Sequence, residues 1–130
     1  MPDFFLFEEA LRNRAYVAVG DVDAFADIIG GGPGGGPRVL VLSGKDLIAP
    51  APSARVVANF FAGNTDNRSG IRVTTRNLDD DGFADIVVGD GAAAGSRVTA
   101  YLGTDVIGGS DRAALAFDAF PGSLGGVFVG

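Results

Sequence analysis

The chain has 130 residues, 47% of them apolar, a formal net charge of −6, and neither cysteine nor histidine. That length allows one ordinary domain with a core, and the acidic balance excludes a basic nucleic-acid face. Without Cys there is no disulfide framework or thiolate metal site, and without His the commonest general base is gone. The 21 glycines suit many tight turns between short strands, not a helical bundle.

Met1–Glu8 has no basic n-region and only four apolar residues in a row, so it is no secretory signal. No apolar run approaches the ~18 residues of a membrane span. The chain therefore either stays inside the cell or is a segment of a longer exported one. Phe4-Phe5-Leu6-Phe7 reads as the last strand of a unit whose first three strands are missing. Glu8 and Glu9, the only glutamates, read as a solvated strand end rather than an acid/base pair.

A first unit, about 15–62, reads as four strands near Ala15–Val22, Ala26–Gly31, Arg38–Ser43 and Arg55–Ala62. A second, about 70–117, repeats them near Gly70–Leu78, Ala84–Gly89, Arg97–Leu102 and Ala113–Phe117. Gly126-Val127-Phe128-Val129 begins a third, within 126–130. The repeat rests on two alignments at one spacing: Phe5, Phe61 and Phe117 (61 − 5 = 56; 117 − 61 = 56), and Val17, Val73 and Val129. Asp27 pairs with Asp85 and Arg38-Val39 with Arg97-Val98, a drift of two or three residues that loop insertions produce. Breaks fall at turn residues: Gly32-Pro33, Gly36-Pro37, Ser43-Gly44 and Gly63-Asn64. Val39-Leu40-Val41-Leu42 and Ile86-Val87-Val88 are apolar on both faces, which suits sheets covered on both sides. A long internal period with such strands points to an all-β, propeller-type array of four-stranded antiparallel blades. A β-sandwich with apolar central strands is the alternative.

The stretch richest in chemistry is Asn77-Leu78-Asp79-Asp80-Asp81-Gly82-Phe83-Ala84-Asp85. Asn77, Asp79, Asp81 and Asp85 place oxygens at positions 1, 3, 5 and 9, with glycine at position 6. With the Phe83 carbonyl and water they make a cage for a hard cation, Ca²⁺ before the stricter Mg²⁺. The alternative is an Asx-rich turn without an ion. An EF-hand is excluded: its twelfth position would be Val88, not Glu, and no helices are expected. Asp80 is not an expected ligand. The first unit keeps Asp21, Asp23 and Asp27 in a loop two residues shorter, where an ion-free turn is expected.

Other motifs carry less. Gly30–Gly36 contains G-x-G-x-x-G, but Pro37 and a strand follow instead of the helix that dinucleotide binding needs. Gly44-Lys45 lacks the upstream glycine of a P-loop. Asn67-Arg68-Ser69 is a glycosylation sequon that matters only in a glycosylating compartment. No nucleophile–base set exists, so no enzyme is expected.

Taken together, Gly70-Ile71-Arg72-Val73, Asn77-x-Asp79-x-Asp81-Gly82-x-x-Asp85-Ile86 and Gly89 resemble the FG-GAP or VCBS repeats of integrin-α-like propellers. In the first unit Val17–Asp23, Asp27-Ile28-Ile29 and Gly31-Gly32-Pro33 carry the likeness. It implies blades with a Ca²⁺ loop between their first and second strands. It also implies an extracellular or cell-surface role in adhesion, ligand binding or scaffolding. The chain departs from the pattern in its shortened first loop and at Asp90-Gly91. Partners expected are a second copy, joined through Phe4–Phe7 and Gly126–Val129, or neighbouring blades, with a protein or glycan as possible ligand. The alternative role is a carbohydrate-binding or hydrolase-associated propeller domain.

Overall fold

A computed structural model describes residues 3, 4, 6, 7, 14–32 and 36–130. Its strands form two antiparallel four-stranded sheets, so the chain is all-β. Sheet one has the order β1 (Tyr16–Asp21), β2 (Ala26–Gly31), β3 (Arg38–Leu42) and β4 (Val56–Phe61). Sheet two repeats that order with β5 (Ile71–Arg76), β6 (Asp85–Asp90), β7 (Arg97–Tyr101) and β8 (Leu115–Asp118). Each strand pairs with its sequence neighbour, and the last connection in each sheet is the longest.

Those last connections differ from expectation. Each opens with one helical turn, α1 (Gly44–Leu47) and α2 (Gly103–Ile107). Ser43 caps α1 by accepting from the Asp46 N–H, while Leu47 and Val106 turn into the protein. A single turn is too short to write a helical period into the sequence, so both stretches read as plain turns. Phe4, Leu6 and Phe7 are not in a regular strand; they lie on sheet one against Leu40, Leu42 and Leu47. Phe5, Glu8, Glu9 and residues 33–35 of the glycine-rich loop lie outside the described residues.

The main core lies between the sheets. Ile29, Val39 and Val41 from sheet one meet Ile71, Val73, Ile86 and Val88 from sheet two. Phe60 packs edge-on against Tyr101 at 5.0 Å, and the Tyr101 hydroxyl accepts from the Gly63 N–H at 2.6 Å. β1 and β2 both lie against β5, and a Cβ on Gly31, at the end of β2, would come within 2.9 Å of the Ile71 carbonyl oxygen. Only a residue without a side chain permits that approach. The Ile71 N–H donates to the Gly32 carbonyl at 3.2 Å.

The same contact recurs one unit later (127 − 71 = 56). The Val127 N–H donates to the Asp90 carbonyl at 2.9 Å, and a Cβ on Gly89 would lie 2.7 Å from the Val127 carbonyl oxygen. Residues 127–129 thus sit on sheet two as Ile71–Val73 sit on sheet one, though they form no strand of their own. Arg72 anchors this end. Buried, it donates to the carbonyls of Asp90 and Val127 and lies 3.8 Å over the Phe128 ring and 5.7 Å from that of Tyr16.

Gly44 and Gly103 open the helical turns so close to β2 and β6 that an added Cβ would overlap the carbonyl oxygens of Ala26 and Ala84. Neither oxygen belongs to a flexible side chain. Gly44→Ala or Gly103→Ala is therefore expected to destabilise the fold by more than about 3 kcal/mol in denaturant melts. Gly125→Ala, which meets only the Ser123 hydroxyl at ordinary distance, should stay within about 0.5 kcal/mol.

Candidate metal centre

Two buried aspartates organise the loops that join the first two strands of each sheet. Asp27 begins its inward run on β2 and is fully buried. Its carboxylate accepts from the Val22 N–H at 3.2 Å and from the Gly44 N–H at 3.1 Å. Asp85 does the same on β6, accepting from the N–H of Leu78 at 2.6 Å and of Gly103 at 2.8 Å. Each carboxylate therefore clasps its hairpin loop to the helical turn after the third strand. Sequence reasoning placed both aspartates at the loops but missed their glycine partners. The signal was present: a Gly follows each Asp by 17 or 18 residues (44 − 27 = 17; 103 − 85 = 18).

Residues 77–84 then project from the end of the β5–β6 hairpin. Asp79 Oδ1 accepts from the Asp81 N–H at 3.3 Å, and Asp81 Oδ1 from the Phe83 N–H at 2.8 Å. These Asx turns coil the loop. Asp80 and Gly82 adopt left-handed backbone, φ 59° and 89°, which reverses the chain and leaves Asp80 out of the hydrogen bonds described for the loop. Asn77, Asp79 and Asp81 are exposed and Phe83 half-buried. The loop thus carries Asp79 and Asp81 on the same hairpin as Asp85, and among the described residues no three acidic groups converge into a ready-made cage.

The electrostatics show the strain of that grouping. The Asp79 carboxyl is pushed above the usual carboxylate range, first by shielding from its own loop, then by the charges of Asp81 and Asp85 and by a carboxyl–carboxyl contact with Asp81. The Asp81 N–H opposes the rise. A carboxyl raised by neighbouring negative charge is one a cation would relieve. Three carboxylates, one amide and a carbonyl are also the hard oxygen donors that Ca²⁺ takes, so the residues present fit that ion.

The first loop is built on the same clasp with less chain. Asp21 pairs with Ala26 across the hairpin end, whereas Arg76 pairs with Asp85. Ala24 takes left-handed backbone, φ 84°, to close the shorter turn. Asp21 is exposed and Asp23 half-buried, and Asp23 Oδ1 is a buried oxygen with no partner among the described residues. Burial raises the pKa of Asp27, the Gly44 N–H lowers it, and the charges of Asp23 and then Asp21 raise it again.

Asn67 of the sequon serves the fold. Its side-chain nitrogen donates to the Gly70 carbonyl and Asp90 Oδ1, its oxygen accepts from the Ser69 N–H, and the residue is buried. The nitrogen that a glycan would take is already committed. No family model, curated protein or solved structure matches the chain.

Asp27→Ala should leave two donors unpaired and cost about 2–5 kcal/mol in chemical denaturation. Asp27, Asp79 and Asp90 all have raised values, with burial the first cause in each. A raised folded value favours the protonated native state, so the stability is present at low pH and lost as pH rises through the folded values. Asp46, lowered by its hydrogen bond to Arg55, is ionised in both states across that window and does not offset this. In chelator, the Tm at about pH 5 should therefore exceed that at about pH 7, and calcium should shrink or reverse the difference.

Proposed function

We propose that this chain is a non-enzymatic, calcium-braced repeat module of propeller-type blades, working outside the cell or at its surface in adhesion, scaffolding or self-assembly. The observation that carries the reading is the loop geometry: Asx turns through Asp79 and Asp81 coil the loop next to Asp85 on one hairpin, and the charges of Asp81 and Asp85 bear on the Asp79 carboxyl. Asn77, Asp79, Asp81, Asp85 and the Phe83 carbonyl would hold the ion. Asp85 arrives already fixed by two backbone N–H groups, so the ion needs to draw in only the exposed residues. The unfolded chain has no such arrangement, and binding energy therefore adds to folding energy. Asp21, Asp23 and Asp27 form a weaker second candidate, supported by the unpartnered Asp23 oxygen.

Support for a blade arrangement comes from the stacking of two like sheets with β1 beside β5, and from the recurrence of the Ile71 contact at Val127. Stacked blades of this kind leave both outer faces for neighbouring blades or a second copy. Among the described residues no helix is long and apolar enough to cross a membrane.

Calcium at a hundredfold excess over Kd should stabilise the chain by about 2.7 kcal/mol and raise Tm by on the order of 10 °C relative to chelator. Asp81→Ala should abolish that calcium-dependent increment while retaining a cooperative melt. Identical midpoints in calcium and chelator would remove the metal from the reading.

A further inference from the structure

The contact between the two sheets has outward-facing counterparts, unmet, at opposite ends of the molecule. Inside the chain Val22 is a knob. It is 2% exposed, lies in the shared core with Ala84 and Val106, and sits 3.4 Å from a Cβ placed on Gly103. Beside it the Ala84 N–H donates to the Asp21 carbonyl at 2.5 Å. The counterpart of Val22 is Leu78, since each gives its N–H to the clasp aspartate of its own sheet. Leu78 has no comparable seat and is 48% exposed.

The counterpart of the seat is open as well. On sheet one Ala26, Gly44 and Leu47, rimmed by Phe25 and Ile48, line an apolar groove of about 250 Å³. Lys45 lies 5.0 Å from the Phe25 ring at its edge. The faces behind knob and groove correspond too. Sheet one packs Ile29, Ala58 and Phe60 onto sheet two. Strand register makes Phe117 the equivalent of Phe60, not of Phe61 as the 56-residue spacing suggests, since Phe117 faces Val98 as Phe60 faces Val39; Val87, Leu115 and Phe117, the equivalents in sheet two, line an open groove on its far side. The far face of sheet one still exposes Val17 and Val19.

We propose that a second copy of this chain docks head to tail, Leu78 of one copy entering the groove between Phe25 and Ile48 of the other, through the contact that joins the two sheets within one chain. This rests on the repeat-module reading above but not on calcium. In that register the incoming Ala26 N–H meets the Asn77 carbonyl. The incoming residues 15–18 take the place that residues 127–130 of the receiving copy hold, and the incoming Phe4, Leu6 and Phe7 leave the face they cover. The chain's own ends thus compete with the neighbour, which makes association concentration-dependent. Knob and groove are different surfaces, so the contact is heterologous and continues to a ring or filament instead of stopping at two.

Sedimentation velocity from micromolar to near-millimolar protein tests this. The natural chain should form a series beyond the dimer. Leu78→Asn and Ile48→Glu, both at exposed positions, should each weaken association about tenfold or more. An equimolar mixture of the two variants keeps one intact knob and one intact groove, so it should yield a heterodimer and nothing larger. A natural chain that stays monomeric, or a mixture that behaves like either variant alone, would overturn the proposal. Running both in calcium and in chelator separates the readings: a heterodimer formed equally in each, with unchanged melts, removes the metal and leaves the docking intact.

Discussion

Everything at the loop end of the molecule depends on a buried carboxylate accepting two backbone N–H groups. Asp27 and Asp85 each do this, one N–H from the hairpin loop and one from the helical turn after the third strand. Burying a charge is costly unless hydrogen bonds replace its water. Here the two donors come from separated stretches of chain and the acceptor from a third, so one side chain sets the relative position of all three. The glycines at Gly44 and Gly103 are the other half of the device, because a side chain there would collide with the strand that carries the aspartate.

The clasp also explains how one repeat can hold two different loops. It fixes where each loop leaves and returns, whatever lies between. In the first sheet the intervening chain is a tight turn with Ala24 in left-handed backbone; in the second, two further residues let Asp79 and Asp81 coil outward. The difference between the two loops is therefore confined to residues between the clasp positions. The sheets beneath are indifferent to it.

Stacking of the sheets obeys a second constraint, close approach of backbone to backbone. Gly31 lets Ile71 settle on β2, and Gly89 admits Val127 in the same way. Arg72 then ties three repeat-related positions together, between Tyr16 and Phe128, by cation–π contact and by hydrogen bonds to the carbonyls of Asp90 and Val127. Aromatic faces and two carbonyls replace the water around one end of this buried guanidinium, while its Nε has no hydrogen-bond partner among the described residues.

The sequence by itself determined the eight strands of the two sheets, their four-by-four grouping and the acidic loop, since apolar runs, turn residues and the alternation of Asn77, Asp79 and Asp81 are local patterns written in consecutive residues; the terminal apolar runs at Phe4–Phe7 and Gly126–Val129 read as strands too, but among the described residues they form none. It also marked Asp27 and Asp85 as equivalent. What it left open were relations between distant residues. The single helical turns at Gly44 and Gly103 were hidden because one turn carries no periodicity, and Asn67 read as a sequon until its amide was found holding Gly70 and Asp90. Only the tertiary structure decided that Asp85 is a clasp, because its second donor lies 18 residues away, a partnership that exists only once the sheet has folded.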